Sequence, residues 1–134
     1  MEGFKPFGIL DRVKAIVLSH GHYDHTGGVP AMLEVVPQAR IYLHPAAFEK
    51  KFSQNSGSAR QIGMSDCVAQ AIRRGAGGFI ETIARTEIVG GVFATGEIPR
   101  ETTYEDTGGA FFLDSVVRPT SAPSLNSNAV SLCR

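Results

Sequence analysis

The sequence predicts an α/β fold, because short apolar runs alternate along the chain with segments that carry helix start and stop signals. Residues 13–18 and 40–43 are the clearest strands, since each is a short run rich in valine, isoleucine or leucine. The clearest helix covers residues 66–74. Ser65 is a suitable N-cap for it, two arginines lie in its last turn, and a glycine-rich stretch then ends it.

The remaining elements follow from local composition. Residues 29–36 predict a helix with proline in its first turn, and residues 45–52 predict another helix that begins with proline. The Ser/Gly/Asn-rich residues 53–58 predict an exposed loop. Residues 79–83 and 87–94 predict a pair of strands joined by a short polar turn. The order is typical of an α/β domain.

The length of 134 residues predicts one domain. Residues 118–134 are rich in proline, serine and asparagine and have few groups that could be buried, so we expect a disordered or aberrant tail there. Residues 1–117 are left as a partial domain. The two cysteines, Cys67 and Cys133, lie in no paired motif and predict unpaired thiols in a reducing compartment, which favours a cytoplasmic location.

The charge balance argues against two classes of partner. Thirteen basic residues match thirteen acidic ones, so the chain has no electrostatic reason to bind nucleic acid or an anionic membrane. Its longest apolar stretches fall far short of the roughly 20 residues of a membrane helix. We therefore expect a small-molecule substrate, with neither nucleic acid nor a membrane as partner.

Four residues with metal-ligand side chains follow the first predicted strand directly: His20, His22, Asp24 and His25. Imidazole and carboxylate are groups that zinc, iron and manganese accept readily. Two positions separate His20 from His22, so an extended backbone points both side chains to the same side. The carboxyl end of a strand is also where open α/β sheets commonly place their sites. The pattern predicts a metal site.

Residues 17–28, which contain these four, resemble the H-x-H-x-D-H signature of the metallo-β-lactamase superfamily. Residues 42–45, 62–64 and 91–100 resemble one branch of it, the metal-dependent hydrolases related to dihydropterin ribofuranosylaminobenzene-phosphate synthase. The resemblance covers about residues 7–112. It implies part of an αββα sandwich, namely one sheet layer with its helices, with both ends of the full domain missing.

The resemblance also implies a site for two divalent metals, zinc foremost, with iron or manganese as alternatives. His20 and His22 would hold the first metal, and Asp24 and His25 the second. The implied reaction is hydrolysis, in which hydroxide generated at a metal attacks an ester, amide or phosphoryl centre. Asp24 would orient the hydroxide or carry a proton, which makes it the candidate catalytic residue.

Each metal in that superfamily takes a further histidine from later in the fold, and after His25 this sequence has only His44. We expect His44 to make a local hydrogen bond at a strand end. We therefore expect this chain to be a fragment with weak or no catalysis. Its exposed sheet edges would favour self-association. Two alternatives stay open: a non-catalytic metal-binding remnant, and a pterin-transferring synthase that uses the same two-metal site.

Two further residues are candidates for binding substrate. Arg100 suits a bidentate contact with a phosphate or carboxylate, and Glu97 is placed to orient it. The alternative is an ordinary surface ion pair in a turn, and the family resemblance favours substrate binding. Arg60 is interpreted as a surface cation.

Overall fold

The computed structural model describes residues 8–55, 58–99, 111–113 and 132–133. Within them the chain is a mixed α/β structure, as the sequence predicts. The strands are β1 (Ala15–Val17), β2 (Arg40–Leu43), β3 (Phe52–Asn55), β4 (Ser58–Gln61), β5 (Phe79–Glu81), β6 (Thr86–Val89), β7 (Val92–Ala94), β8 (Phe111–Phe112) and β9 (Leu132–Cys133). The helices are α1 (Tyr23–Thr26), α2 (Val29–Val35) and α3 (Asp66–Arg74), with 3-10 helices at Leu10–Arg12 and Pro45–Phe48.

A parallel sheet in the order β1-β2-β5 carries the core. Ile41, in the middle strand, lies opposite both Ile16 and Phe79 and is fully buried. Helices α2 and α3 contact each other. The core combines side chains of the sheet and these helices with Leu18, Ala47 and Met64 from the connecting segments. Its buried residues are Leu18, Val29, Ile41, Leu43, Ala47, Met64, Val68, Ala69 and Ile72. Burial of this apolar set is the main force that holds strands and helices together.

Two predicted elements lie where the sequence places them. Strand β2 covers residues 40–43, and α3 covers residues 66–74. The Ser65 hydroxyl accepts a hydrogen bond from the backbone N–H of Val68 at 3.3 Å, which satisfies one of the free amides at the start of α3. Ile72 is completely buried on the inner face of this helix.

The predicted helix over residues 45–52 is wrong. Only Pro45–Phe48 is helical, as a single 3-10 turn, and the backbone is extended at Glu49 (φ −69°, ψ 146°). The loop predicted over residues 53–58 is wrong for the described ones: residues 53–55 belong to β3, which pairs antiparallel with both β4 and β8, and Ser58 begins β4. Strand pairing overrides the local propensity for a loop here. The prediction failed because these polar strands lack the apolar alternation by which a strand is recognised in a sequence.

The two strands predicted over residues 79–83 and 87–94 are confirmed in part, because β5 covers Phe79–Glu81 but residues 87–94 are divided between two strands. Strand β5 pairs in parallel with β2, while residues 86–94 fold on themselves as the β6–β7 hairpin. Gly91 permits this tight turn because its φ of +81° lies in the left-handed region. Residues 118–134 lie outside the described part of the chain except for β9, which pairs with β7.

Among the described residues, no helix has the length and apolar character needed to cross a membrane. The thiol of Cys67 is exposed and forms no disulfide.

Candidate metal centre

The loop that carries the predicted ligands leaves the carboxyl end of β1 and turns into α1. His22 is the N-cap of α1 and has an extended backbone, with φ −76° and ψ 152°. Its carbonyl oxygen accepts hydrogen bonds from the backbone N–H of both His25 and Thr26 at 3.1 Å, and from the Thr26 hydroxyl at 2.9 Å. Thr26 is fully buried. This single carbonyl therefore fixes how Asp24 and His25 project from the loop.

His20 and His22 form the first close pair of ligand-type side chains. Nε2 of His20 lies 3.1 Å from Nδ1 of His22. Two nitrogens bound at 2.0–2.1 Å to a tetrahedral zinc ion would be about 3.3 Å apart. The observed separation therefore suits two ligands of one cation.

Asp24 and His25 form the second pair. Oδ2 of Asp24 lies 3.6 Å from Nε2 of His25, and both side chains are exposed. The ring centroids of His20 and His25 are 4.1 Å apart, so the two pairs are neighbours. The structure thus gathers all four predicted residues. Within the described part of the chain, however, no three His, Cys, Asp or Glu side chains are arranged to enclose one cation.

Ser19 links the two pairs from behind. Its hydroxyl forms hydrogen bonds with Nδ1 of His20 at 3.1 Å and with Nδ1 of His25 at 3.4 Å. Such partners on the far side of an imidazole orient the ring and are a common feature of histidine metal ligands. In both rings this leaves Nε2 as the nitrogen directed towards the other member of its pair.

The electrostatic surroundings keep the two inner imidazoles neutral. Burial lowers the pKa of His20 below its usual value of 6.5, and the His25 and His22 rings lower it further. Burial also lowers the pKa of His22, and the nearby Lys51 ammonium acts in the same direction. Burial lowers the pKa of Lys51 as well. Neutral imidazole is the form that binds metal, so the cluster is suited to metal ligation at neutral pH.

Close backbone packing holds the loop in place. A methyl group on Gly21 would lie 2.6 Å from Cα of Ala47, so only glycine allows the Pro45–Phe48 turn to approach this closely. On the other side, the backbone N–H of Tyr23 donates to the Ile62 carbonyl at 2.9 Å, and His22 forms an isolated antiparallel bridge with Gly63. The segment after β4 is therefore hydrogen-bonded to the ligand loop.

An open cavity of about 400 Å³ lies beside the cluster. One wall comes from the ligand loop and the other from the β3–β4 hairpin and the residue that follows it. The lining residues are His22, Tyr23, Asp24, Ser53, Ser58, Arg60 and Ile62. Its volume is in the usual range for sites that bind small molecules.

The other sequence predictions have mixed outcomes. His44 is buried and caps the Pro45–Phe48 turn, where its Nδ1 accepts a hydrogen bond from the backbone N–H of Ala46 at 3.2 Å, which confirms its local role. Glu97 is exposed and is not among the residues that line the cavity. Arg100 lies outside the described residues. The substrate-binding role of Glu97 and Arg100 stays a prediction.

The hairpin wall is not apparent from local composition. The composition of residues 53–58 predicts an exposed loop, and Arg60 is predicted to be a surface cation. The one available signal was the spacing of Ser58, Arg60 and Ile62 at every second position, which puts three side chains on one face of a strand.

These features define an α/β protein whose candidate ligand side chains lie at the carboxyl end of a parallel strand, beside an open cavity. The sequence profile of the metallo-beta-lactamase superfamily matches residues 8–124, and the chain belongs to that superfamily.

Three curated proteins illustrate its relationships within the superfamily. Ribonuclease J 1 of Streptococcus pyogenes serotype M3 is 53% identical over 38 residues, which are 28% of this chain and 7% of that protein. The 7,8-dihydropterin-6-methyl-4-(beta-D-ribofuranosyl)-aminobenzene-5'-phosphate synthase of Methanocaldococcus jannaschii is 28% identical over 90 residues, 66% of this chain and 31% of the synthase. An uncharacterised protein of the same archaeon is 30% identical over 106 residues, 78% of this chain and 39% of that protein. The chain thus spans well under half the length of each.

Proposed function

We propose that this chain carries part of the active site of a metal-dependent hydrolase that acts on an ester, amide or phosphoryl group of a small molecule. The observation that carries the proposal is the pairing of ligand atoms, with His20 and His22 at 3.1 Å and Asp24 and His25 at 3.6 Å. Each pair would hold one divalent cation. Membership of the superfamily supports the hydrolytic class of reaction.

The residues of the chain divide the work between binding and proton transfer. His20 and His22 offer neutral imidazole nitrogens, because burial lowers the pKa of both rings. Asp24 lines the cavity and is exposed there, so its carboxylate can accept a proton from, or orient, a water molecule beside the substrate. A divalent cation, when bound, would lower the pKa of coordinated water and polarise the substrate. Zinc suits a donor set rich in imidazole, and iron and manganese are the alternatives.

A second candidate is a non-catalytic remnant that binds metal weakly. It is favoured by the arrangement of the described residues, in which no three donors enclose one cation. With fewer ligands for each cation, affinity falls and catalysis is weak or absent. A third candidate is a synthase that transfers a pterin. The 28% identity with the archaeal synthase supports it, because one kind of site can serve different reactions.

Metal analysis of the full 134-residue chain after dialysis against zinc, iron(II) or manganese tests the proposal. We expect up to two equivalents in the wild type. His22→Ala and Asp24→Ala should each lower affinity more than about a hundredfold, since even the outer partners of metal ligands contribute 10–100-fold. Asp11→Ala, which removes an exposed carboxylate that is neither a predicted ligand nor a cavity-lining residue, should bind metal like the wild type.

Turnover separates the candidates. Phosphodiester, thioester and lactam substrates are assayed with added metal. Metal-dependent hydrolysis that is lost in His20→Ala supports the hydrolase and excludes the remnant. Metal uptake without turnover on any substrate favours the remnant or the synthase. A chain that takes up none of the three metals contradicts the metal-dependent proposals together.

A further inference from the structure

We propose that the β3–β4 hairpin is the substrate-recognition wall of the cavity, and that Arg60 binds an oxyanion of the substrate, either a phosphate or a carboxylate. This inference rests on the proposed function for the reaction that takes place beside it. The binding of the anion is a separate property of the hairpin and can be measured separately.

The register of the hairpin places the required groups on one face. Ser58, Arg60 and Ile62 alternate along β4 and the residue after it, so their side chains point to the same side. Ser53 lies directly opposite Arg60 in the antiparallel pair. All four line the cavity. One guanidinium and two hydroxyls on a single face can donate several hydrogen bonds to one oxyanion.

Within the described part of the chain, Arg60 is available for such a ligand. Its side chain is exposed, and the contact that the structure gives it is with the Tyr23 ring, whose centroid lies 5.8 Å from the guanidinium carbon. Among the described residues, no carboxylate lies within ion-pair distance of Arg60, since the one pair found joins Asp24 and His25. A planar guanidinium of this kind suits bidentate contact with phosphate or carboxylate.

The two walls of the cavity carry complementary functions. Arg60 is the cationic residue of the hairpin wall, and His22 and Asp24 lie on the opposite wall with the ligand loop. The hydrogen bond from Tyr23 N–H to the Ile62 carbonyl, at 2.9 Å, fixes the separation of the two walls. An anionic group held by Arg60 would therefore place the rest of a small substrate against the ligand loop. This selects substrates that carry both a hydrolysable bond and an oxyanion.

Binding of three simple probes tests the inference: phenyl phosphate, benzoate and the uncharged benzyl alcohol. Each is titrated into the full chain, and the amide NMR signals of the hairpin are followed. We expect the anions to bind more tightly than the alcohol. Arg60→Ala should weaken anion binding about tenfold or more, as the loss of a charged hydrogen bond implies. Arg60→Lys should retain part of the affinity, because it keeps the charge and loses the planar fork.

Arg74→Ala is the matched control, because it removes an exposed arginine from the end of α3 without touching the cavity. Thermal unfolding of each variant verifies the fold. Tighter binding of phenyl phosphate than of benzoate identifies a phosphorylated substrate, and the reverse order identifies a carboxylate. Equal anion affinity in wild type and Arg60→Ala overturns the inference.

The titrations are repeated after treatment with a chelator, which separates this inference from the proposed function. Arg60-dependent binding in a chain that takes up no metal leaves the anion site standing and removes the metal-dependent hydrolase. If the chain takes up metal but binds the anions equally well with and without Arg60, the metal-dependent hydrolase stands and the anion site is removed.

Discussion

At the scale of single residues, the lowered pKa values of His20 and His22 reduce the stability of the folded chain at low pH. Burial lowers the pKa of both imidazoles below 6.5 in the folded chain. The unfolded chain then binds more protons than the folded one as the pH falls past 6.5. The free energy of unfolding therefore has its full value above pH 6.5, where both rings are neutral in either state. It decreases as the pH drops from 6.5 through the pKa values of the folded chain.

We expect the midpoint temperature of thermal unfolding of the metal-free chain to be lower at pH 5 than at pH 7. His20→Asn should flatten this dependence, because asparagine has no proton to gain. Circular dichroism melts at several pH values measure the effect. A midpoint that rises on acidification, or an unchanged slope in the variant, would contradict the pKa directions.

The proximity of the four candidate ligands could be predicted from the sequence because they are close together in the chain. His20, His22, Asp24 and His25 lie within six positions, so their chemistry is visible without knowing the fold. Arg60 could not be found in this way. Its partner across the hairpin, Ser53, is seven positions away, and its relation to Asp24 depends on how β3 and β4 pack beside the ligand loop.

At the scale of elements, the predictions succeeded where local signals agree with the tertiary structure. In α3, the Ser65 cap, the acidic first turn and the basic last turn all indicate the same bounds, and its inner face reaches the core. Pro45 is a good helix start, but the helix ends after one 3-10 turn at Phe48. The chain instead gains a strand pairing from Phe52 onwards.

The cap of α3 should be measurable by mutation. Ser65→Ala removes the hydroxyl that accepts the Val68 amide, and we expect a loss of about 1 kcal/mol in the free energy of unfolding. Ser65→Asp should restore most of it, since aspartate is an equally good cap and complements the helix dipole. Denaturant unfolding of the three proteins provides the comparison. Equal stability of the alanine variant and the wild type would show that the hydroxyl contributes nothing.

At the scale of the whole molecule, the described parallel sheet ends at β1 on one side and at β5 on the other. Ile83, just beyond β5, is 58% exposed, and Ile98 is 54% exposed. The two are neighbours, because the backbone N–H of Glu97 donates to the Ile83 carbonyl at 3.1 Å. Strand edges that no described strand covers, next to exposed apolar side chains, favour association with a second copy of the chain.

Sedimentation velocity over a range of concentrations should therefore reveal self-association. Ile83→Lys should weaken it, because a charge at the apolar surface resists burial. Ile9→Lys, at an exposed isoleucine near the other end of the described chain, serves as the control and should leave association unchanged. A single monomeric species at every concentration would exclude this behaviour.

The hydroxyl of Ser19 touches two rings but carries one proton. If that proton is donated to Nδ1 of either His20 or His25, the neutral ring that receives it must keep its own proton on Nε2. Both rings can present Nε2 lone pairs together only when the hydroxyl accepts from both and turns its proton elsewhere. The tautomers of the two rings are thus linked through Ser19. If each pair binds a cation, as proposed above, we expect binding at one pair to change the free energy of binding at the other.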